Sequence, residues 1–168
     1  MKTLQLEALT AASFAPFGQV IEAGSLASHY PINGGSCTRY HDLARLDPGF
    51  GGELIASVFR AQPTPLPRSV ALLERHPLAS QAFIPLSGRP FLVLVGMPSP
   101  KPDPNSIRLF MAEASQGVNI NRAVWHHSLL ALDAISDFLV LDRKGPGANC
   151  DEAWLDEPLW LGALAGSR

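Results

Sequence analysis

Four side chains in the middle and later part of the chain are of the types from which an acid–base or metal site is built: Glu74, His76, Gln81 and His126. Two imidazoles and a carboxylate suit a first-row divalent metal, whereas an amide carbonyl such as that of Gln81 is a weaker oxygen ligand that charge does not favour. Imidazole as a residue type also exchanges protons near neutrality, so the same set could serve acid–base chemistry without an ion. A structural reading competes with both. His76 precedes Pro77 and suits a turn, and the adjacent pair His126-His127 reads as one inward and one outward strand residue, because strand side chains alternate between faces. Arg39, Arg60, Arg75 and Arg122 add planar donors of the kind that grip a carboxylate bidentately.

The elements that must position these groups are short. Fifteen prolines and fourteen glycines are spread along the chain. Pro breaks the helical hydrogen-bond ladder and Gly is entropically costly there, so β structure is favoured. Two brief helices are expected, 10–17 with Thr10 or Ser13 as N-cap, and 69–74. Strands are expected at 18–22, 54–60, 82–85, 91–96, 107–112, 117–120, 124–131 and 137–142. Short strands at this spacing make a barrel or a sandwich that hides its edges. The Pro-rich stretch 97–106 is too short for a domain linker. Trp125, Trp154 and Trp160 are expected in the core or a subunit contact, and the acidic pairs 151–152 and 156–157 on a solvated face.

At 168 residues, 46% hydrophobic and 17% charged, the chain is expected to form a single domain over 1–168. A net charge of -2 without a basic run argues against nucleic acid or anionic membrane as partner. No apolar segment approaches the roughly 20 residues that span a bilayer, and the N-terminus lacks a signal-peptide core. Cys37 and Cys150 form neither a disulfide framework nor a paired zinc motif, and are expected as reduced thiols in a cytoplasmic protein.

The spacing of the first group resembles the metal motifs of cupins. Where a cupin has His-x-His, four residues, Glu, six residues and Gly, this chain has Glu74-x-His76, four residues, Gln81, six residues and Gly88. Where the second motif reads Pro-x-Gly-x-x-His, Asn121-x-Ala123-x-x-His126 keeps only the histidine. The resemblance implies an all-β, cupin-like jelly-roll barrel with a few short peripheral helices, and Glu74, His76, Gln81 and His126 as the ligand set. Further blocks make the likeness more specific. Glu74-Arg75-His76-Pro77-Leu78, Gln81-Ala82-Phe83-Ile84-Pro85, Gln116-Gly117-Val118-Asn119 and Val124-Trp125-His126-His127 resemble the ureidoglycolate lyase family. So do Arg39-Tyr40-His41-Asp42-Leu43-Ala44, Arg60-Ala61-Gln62-Pro63, Lys101-Pro102-Asp103, Asp142-Arg143 and Asn149-Cys150-Asp151, in the same chain order.

That resemblance implies a homodimeric lyase that eliminates urea from ureidoglycolate to leave glyoxylate, in allantoin and purine breakdown. The alternatives are an amidohydrolase that releases ammonia from the same substrate, and a non-catalytic cupin that binds a small organic acid. Elimination requires a base for the hydroxyl proton, a proton for departing urea and a clamp for the carboxylate. The base is expected to be His76 or His126, with Glu74 orienting an imidazole or acting as base itself, and Gln81 holding the ureido group. Arg39, His41, Arg60, Arg75 and Arg122 are the substrate-binding candidates. The resemblance also implies a divalent metal, nickel, on the four-residue ligand set.

Overall fold

The protein is described by a computed structural model over residues 2–164. In chain order the strands are β1 (Lys2–Thr3), β2 (Leu6–Ala8), β3 (Gly18–Ile21), β4 (His29–Ile32), β5 (Cys37–Tyr40), β6 (Glu53–Ala61), β7 (Arg68–Arg75) and β8 (Gln81–Pro85). They continue as β9 (Phe91–Gly96), β10 (Arg108–Ala112), β11 (Gly117–Ile120), β12 (Trp125–His126), β13 (Leu130–Ala131), β14 (Ser136–Lys144) and β15 (Asp151–Leu161). One α-helix is present among the described residues, α1 (Ala11–Phe14), with a one-turn 3-10 segment at Asn33–Gly35.

The strands form two facing sheets, the double-sheet arrangement of a jelly roll. One runs β1-β15-β7-β12-β9-β10-β2 with β13 beside β9, and the other runs β3-β11-β8-β14-β6. The alternation of β9 shows how they pack. Phe91, Val93 and Val95 meet Phe83, Val118, Phe138 and Val140 of the opposite sheet, while Leu92 and Leu94 enter a second apolar cluster with Val70, Leu73, Trp125 and Leu159. β9 is therefore buried on both faces, and it is a continuous apolar run for that reason. The expected all-β, cupin-like barrel is what the chain forms.

Three local expectations are corrected. Residues 69–74 are strand β7, because both of its edges are occupied, by β15 and β12, and tertiary pairing overrides a weak helical preference. The expected helix over 10–17 is the four-residue α1, started by a reciprocal capping box between Thr10 and Ser13. The expected strand over 124–131 is divided into β12 and β13.

The acidic C-terminal stretch is β15, an eleven-residue strand whose register shifts between Trp154 and Leu159. Pro158 lies within that shift, where a missing N–H is tolerated. Of the tryptophans, Trp125 is fully buried and Trp154 is 73% exposed. The segment around His29 is a hairpin of β4 and β5 that forms its own two-stranded sheet, with the His29 and Tyr40 rings stacked 5.3 Å apart. No helix among the described residues is long and apolar enough to cross a membrane.

Two outcomes test this packing. Phe138 is fully buried between the sheets, edge-on to Phe91 at 5.0 Å. Phe138→Ala should cost about 3–5 kcal/mol, read as a lower urea midpoint. The second concerns Glu7, which accepts two hydrogen bonds from Arg108, one of them from Nε at 2.9 Å. These bonds hold the Glu7 carboxyl below the usual carboxylate range, against a smaller opposing effect of burial. A carboxyl depressed on folding stabilises above its unfolded pKa and loses that contribution as pH falls through the folded value. The urea-midpoint difference between wild type and Glu7→Gln should therefore be present at neutral pH and vanish below the ordinary carboxylate range.

Candidate active site

Register places the first pair. His126 of β12 stands directly opposite Glu74 of β7 on one side and Val95 of β9 on the other. Directly opposed residues share a face, and Val95 belongs to the core between the sheets, so Glu74 and His126 point into the barrel. His127, one residue on, faces the other way, and burial pushes its pKa below the ordinary imidazole value. The alternation read from the pair His126-His127 holds.

β7 ends at Arg75, and the turn through Pro77 leads into β8 in the opposite sheet. His76 thus sits at the corner and its ring lies 5.0 Å from that of His126, centre to centre. Its Nε2 is 3.0 Å from Oε1 of Gln81, the first residue of β8. Ligand atoms of Glu74, His76 and His126 all lie within 4.8 Å of one another. His76 thus occupies a turn, as the structural reading expects, with its ring directed at the cluster.

The hydrogen-bond roles are specific. His126 Nδ1 lies 3.1 Å from the carbonyl of Val124, and His76 Nδ1 lies 2.6 Å from the carbonyl of Asn149. A carbonyl only accepts, so each Nδ1 carries a proton and donates it. His126 Nε2 is buried without a hydrogen-bond partner, 3.5 Å from Glu74 Oε1. The His126 ring is the main influence holding the Glu74 carboxyl below its ordinary value, against burial, and His76 and His127 act in the same direction. Two imidazole nitrogens, a carboxylate and, beside His76, an amide oxygen therefore lie close together. Histidine ligands whose other nitrogen is tied to a carbonyl are a recurrent arrangement around metals, and this donor set fits a divalent cation.

Two residues outside the expected set shape this point. Gln81 Nε2 donates to Asp142 Oδ2 at 3.4 Å, which turns the amide oxygen of Gln81 toward His76. Asn149 accepts from His76 through its carbonyl and from the Leu78 N–H through its side chain at 2.8 Å, fixing the corner. Arg143 donates to the carbonyls of Pro48, Phe50 and Pro146 and anchors the preceding loop.

A cleft of about 390 Å³ opens beside the cluster, lined by Phe59, Arg60, Phe83, Ser128 and Leu129 together with Glu74 and Gln81. Of the expected substrate-binding residues, Arg60 is brought to this cleft. There it holds Asp137 through two hydrogen bonds of 2.8 and 2.9 Å. Arg75 points to the opposite face of β7, donating to Asp151 at 2.9 Å and stacking over Trp125 at 4.7 Å. Arg122 is engaged by Asp47 at 2.6 Å beside a separate polar cleft. Arg39 lies on β5, and His41 follows it at the root of the hairpin.

An all-β double-sheet barrel with a histidine–carboxylate cluster inside its mouth defines a cupin-like protein. A family profile described as ureidoglycolate lyase matches residues 1–162. The chain is 51% identical over 162 residues to a ureidoglycolate lyase of Burkholderia mallei, spanning 96% of this chain and 94% of that one. It is 48% identical over 158 residues to a ureidoglycolate lyase of Azotobacter vinelandii, spanning 94% and 95%. The chain belongs to the ureidoglycolate lyase family. Among solved structures, a dTDP sugar isomerase from Desulfovibrio desulfuricans overlays with a TM-score of 0.44 and 19% identity, covering 82% of this chain and 85% of that one.

The proton placement is measurable. Imidazole nitrogen NMR shifts of the metal-free protein at neutral pH should show both His76 and His126 carrying a proton on Nδ1. A proton on Nε2 of neutral His126 would contradict the arrangement.

Proposed function

We propose that this chain is a cytoplasmic, single-domain carbon–nitrogen lyase that acts as a homodimer and eliminates urea from ureidoglycolate, leaving glyoxylate. The observation that carries the reading is the family match over almost the whole chain, with the Glu74, His76, Gln81 and His126 cluster facing a cleft of small-molecule size. Two free, exposed cysteines accord with a reducing compartment.

The substrate carbon bears a hydroxyl, a carboxylate and the ureido nitrogen. As the O–H bond breaks, its electron pair becomes the carbonyl of glyoxylate, and the C–N pair leaves with urea, which must gain a proton. Glu74 is the group of the cluster that is both ionised and open to the cleft. It takes the hydroxyl proton and returns it to the departing nitrogen, so one carboxylate serves both halves of the transfer. Gln81, oriented by Asp142, accepts from a ureido N–H. Phe59, Phe83 and Leu129 form apolar walls that exclude water and strengthen these charged contacts.

His76, His126, Gln81 and Glu74 would hold a divalent cation, with nickel compatible with a set of two nitrogens and two oxygens, and it would polarise the substrate oxygens and acidify the hydroxyl. His76 and His126 would then serve as ligands, and Glu74 would keep its second oxygen for the proton. Arg60 supplies donors at the cleft rim.

Purified protein incubated with ureidoglycolate should release glyoxylate and urea well above the spontaneous rate. Release of ammonia in place of urea would make it a hydrolase, and ligand stabilisation without turnover a binding protein. Glu74→Gln should lower kcat by about 10² to 10⁴ while leaving the melting midpoint near wild type. Cation binding followed by calorimetry should be lost in His126→Ala.

A further inference from the structure

The cleft contains more acid than base. Glu74 lines it and Asp142 lies behind Gln81, while the charge of Arg60 is already matched by Asp137. Arg75 and Arg122 are likewise held by carboxylates, and Arg143 by backbone carbonyls. A substrate that carries a carboxylate therefore meets no uncommitted cation in the cleft of its own chain. Among the described residues, the Arg39 side chain is exposed and has no hydrogen-bond or ion-pair partner; its backbone alone pairs, with β4.

Arg39 cannot reach that cleft within its own chain. The hairpin of β4 and β5 pairs with no other strand. Its root, at Ser28 and His41, packs beside Val20 and Glu22 at the β3 side of the five-stranded sheet. The cleft lies at the β6 side. Three strands, β11, β8 and β14, separate β3 from β6, a span of about 19 Å at the usual strand spacing.

The β6 side, in turn, lacks a neighbour. β6 is nine residues long and pairs with β14 along one edge, which leaves the other edge open. It exposes Leu54, Val58 and Phe59. A long apolar edge is a template for another strand, and an isolated two-stranded hairpin is marginal without one. The hairpin offers one usable edge. Pro31 deprives β4 of an N–H, whereas β5, with the sequence Cys-Thr-Arg-Tyr, keeps all of its donors.

We infer that the hairpin is an exchanged arm: in a dimer of two copies, β5 adds to the open edge of the second copy's β6, and Arg39 becomes the carboxylate clamp of that copy's cleft. The charges are complementary, since the arm brings an unpaired guanidinium to a cleft that holds Glu74 and Asp142. A two-fold dimer makes the exchange reciprocal and completes both sites. The assignment of Arg39 to substrate rests on the lyase reading above; the exchange of the arm does not.

The test is complementation within a mixed dimer. Arg39→Ala and Glu74→Gln chains are co-expressed with different tags, and the mixed dimer is purified through both. Each variant's homodimer should lose activity at least ~10²-fold. The mixed dimer has one complete site, made by the arm of the Glu74→Gln chain on the cleft of the Arg39→Ala chain, and should regain about half of wild-type activity. Recovery no greater than in the homodimers, full activity of Arg39→Ala, or a monomer by light scattering would each overturn the proposal. If wild type releases neither urea nor glyoxylate, the lyase reading fails and the arm is still decided by oligomeric state. Replacing residues 29–40 with a short Gly-Ser turn should convert the dimer into a folded monomer, and a dimer that survives it would overturn the exchange.

Discussion

The site depends on a buried imidazole nitrogen that the protein leaves without a partner. Its companion Nδ1 is committed to the Val124 carbonyl, and Nε2 of His126 is shut away from water at the end of a two-residue strand. Leaving such a group unpaired costs about 1–3 kcal/mol. The surrounding structure meets that cost: Trp125, one residue earlier, is buried in the apolar cluster behind the sheet, so β12 cannot rotate to give His126 another partner. A bound cation, or a proton shared with Glu74, removes the cost.

The same logic explains why the supporting residues are placed as they are. An amide can present either end, and Gln81 next to His76 would be indifferent without Asp142 behind it. A carboxylate there accepts only from the amide N–H, so the oxygen turns inward. The Asn149 carbonyl does for His76 what that of Val124 does for His126. Each of these side chains is therefore oriented by a group that can form its bond in one sense only, and their order comes from donor and acceptor identity as much as from packing.

How much of this was readable in the sequence follows from the range over which each feature is decided. Glu74, His76, Gln81 and His126 were recognisable because their spacing is local within two short blocks, and strand alternation settles which of His126 and His127 faces inward. Most strands of the two-sheet core were readable from short apolar runs between turn residues. β7 was not, because Ser69 to Glu74 has the composition of a helix and becomes a strand only through neighbours about 50 and 80 residues away in sequence. Asp142 and Asn149 act through a cross-strand register and a backbone carbonyl, which no residue type announces. The arginines were identifiable as cations; which of them lose that charge to a nearby carboxylate depended entirely on the fold.

That last point bears on how an acidic pocket can accept an anion. Arg60 and Asp137 are both near the surface, where an exposed pair contributes little, about 0–1 kcal/mol, and can part at small cost. Releasing Arg60 toward substrate would, however, leave Asp137 uncompensated at the same rim, so the net field across the cleft would barely change. A clamp that brings new positive charge must come from outside the set of pairs the chain has already closed. Such charge can enter over the rim, beside the nine-residue edge of β6 that no strand among the described residues covers. Anion recognition and assembly are then one structural problem, with the open edge of β6 as its common element.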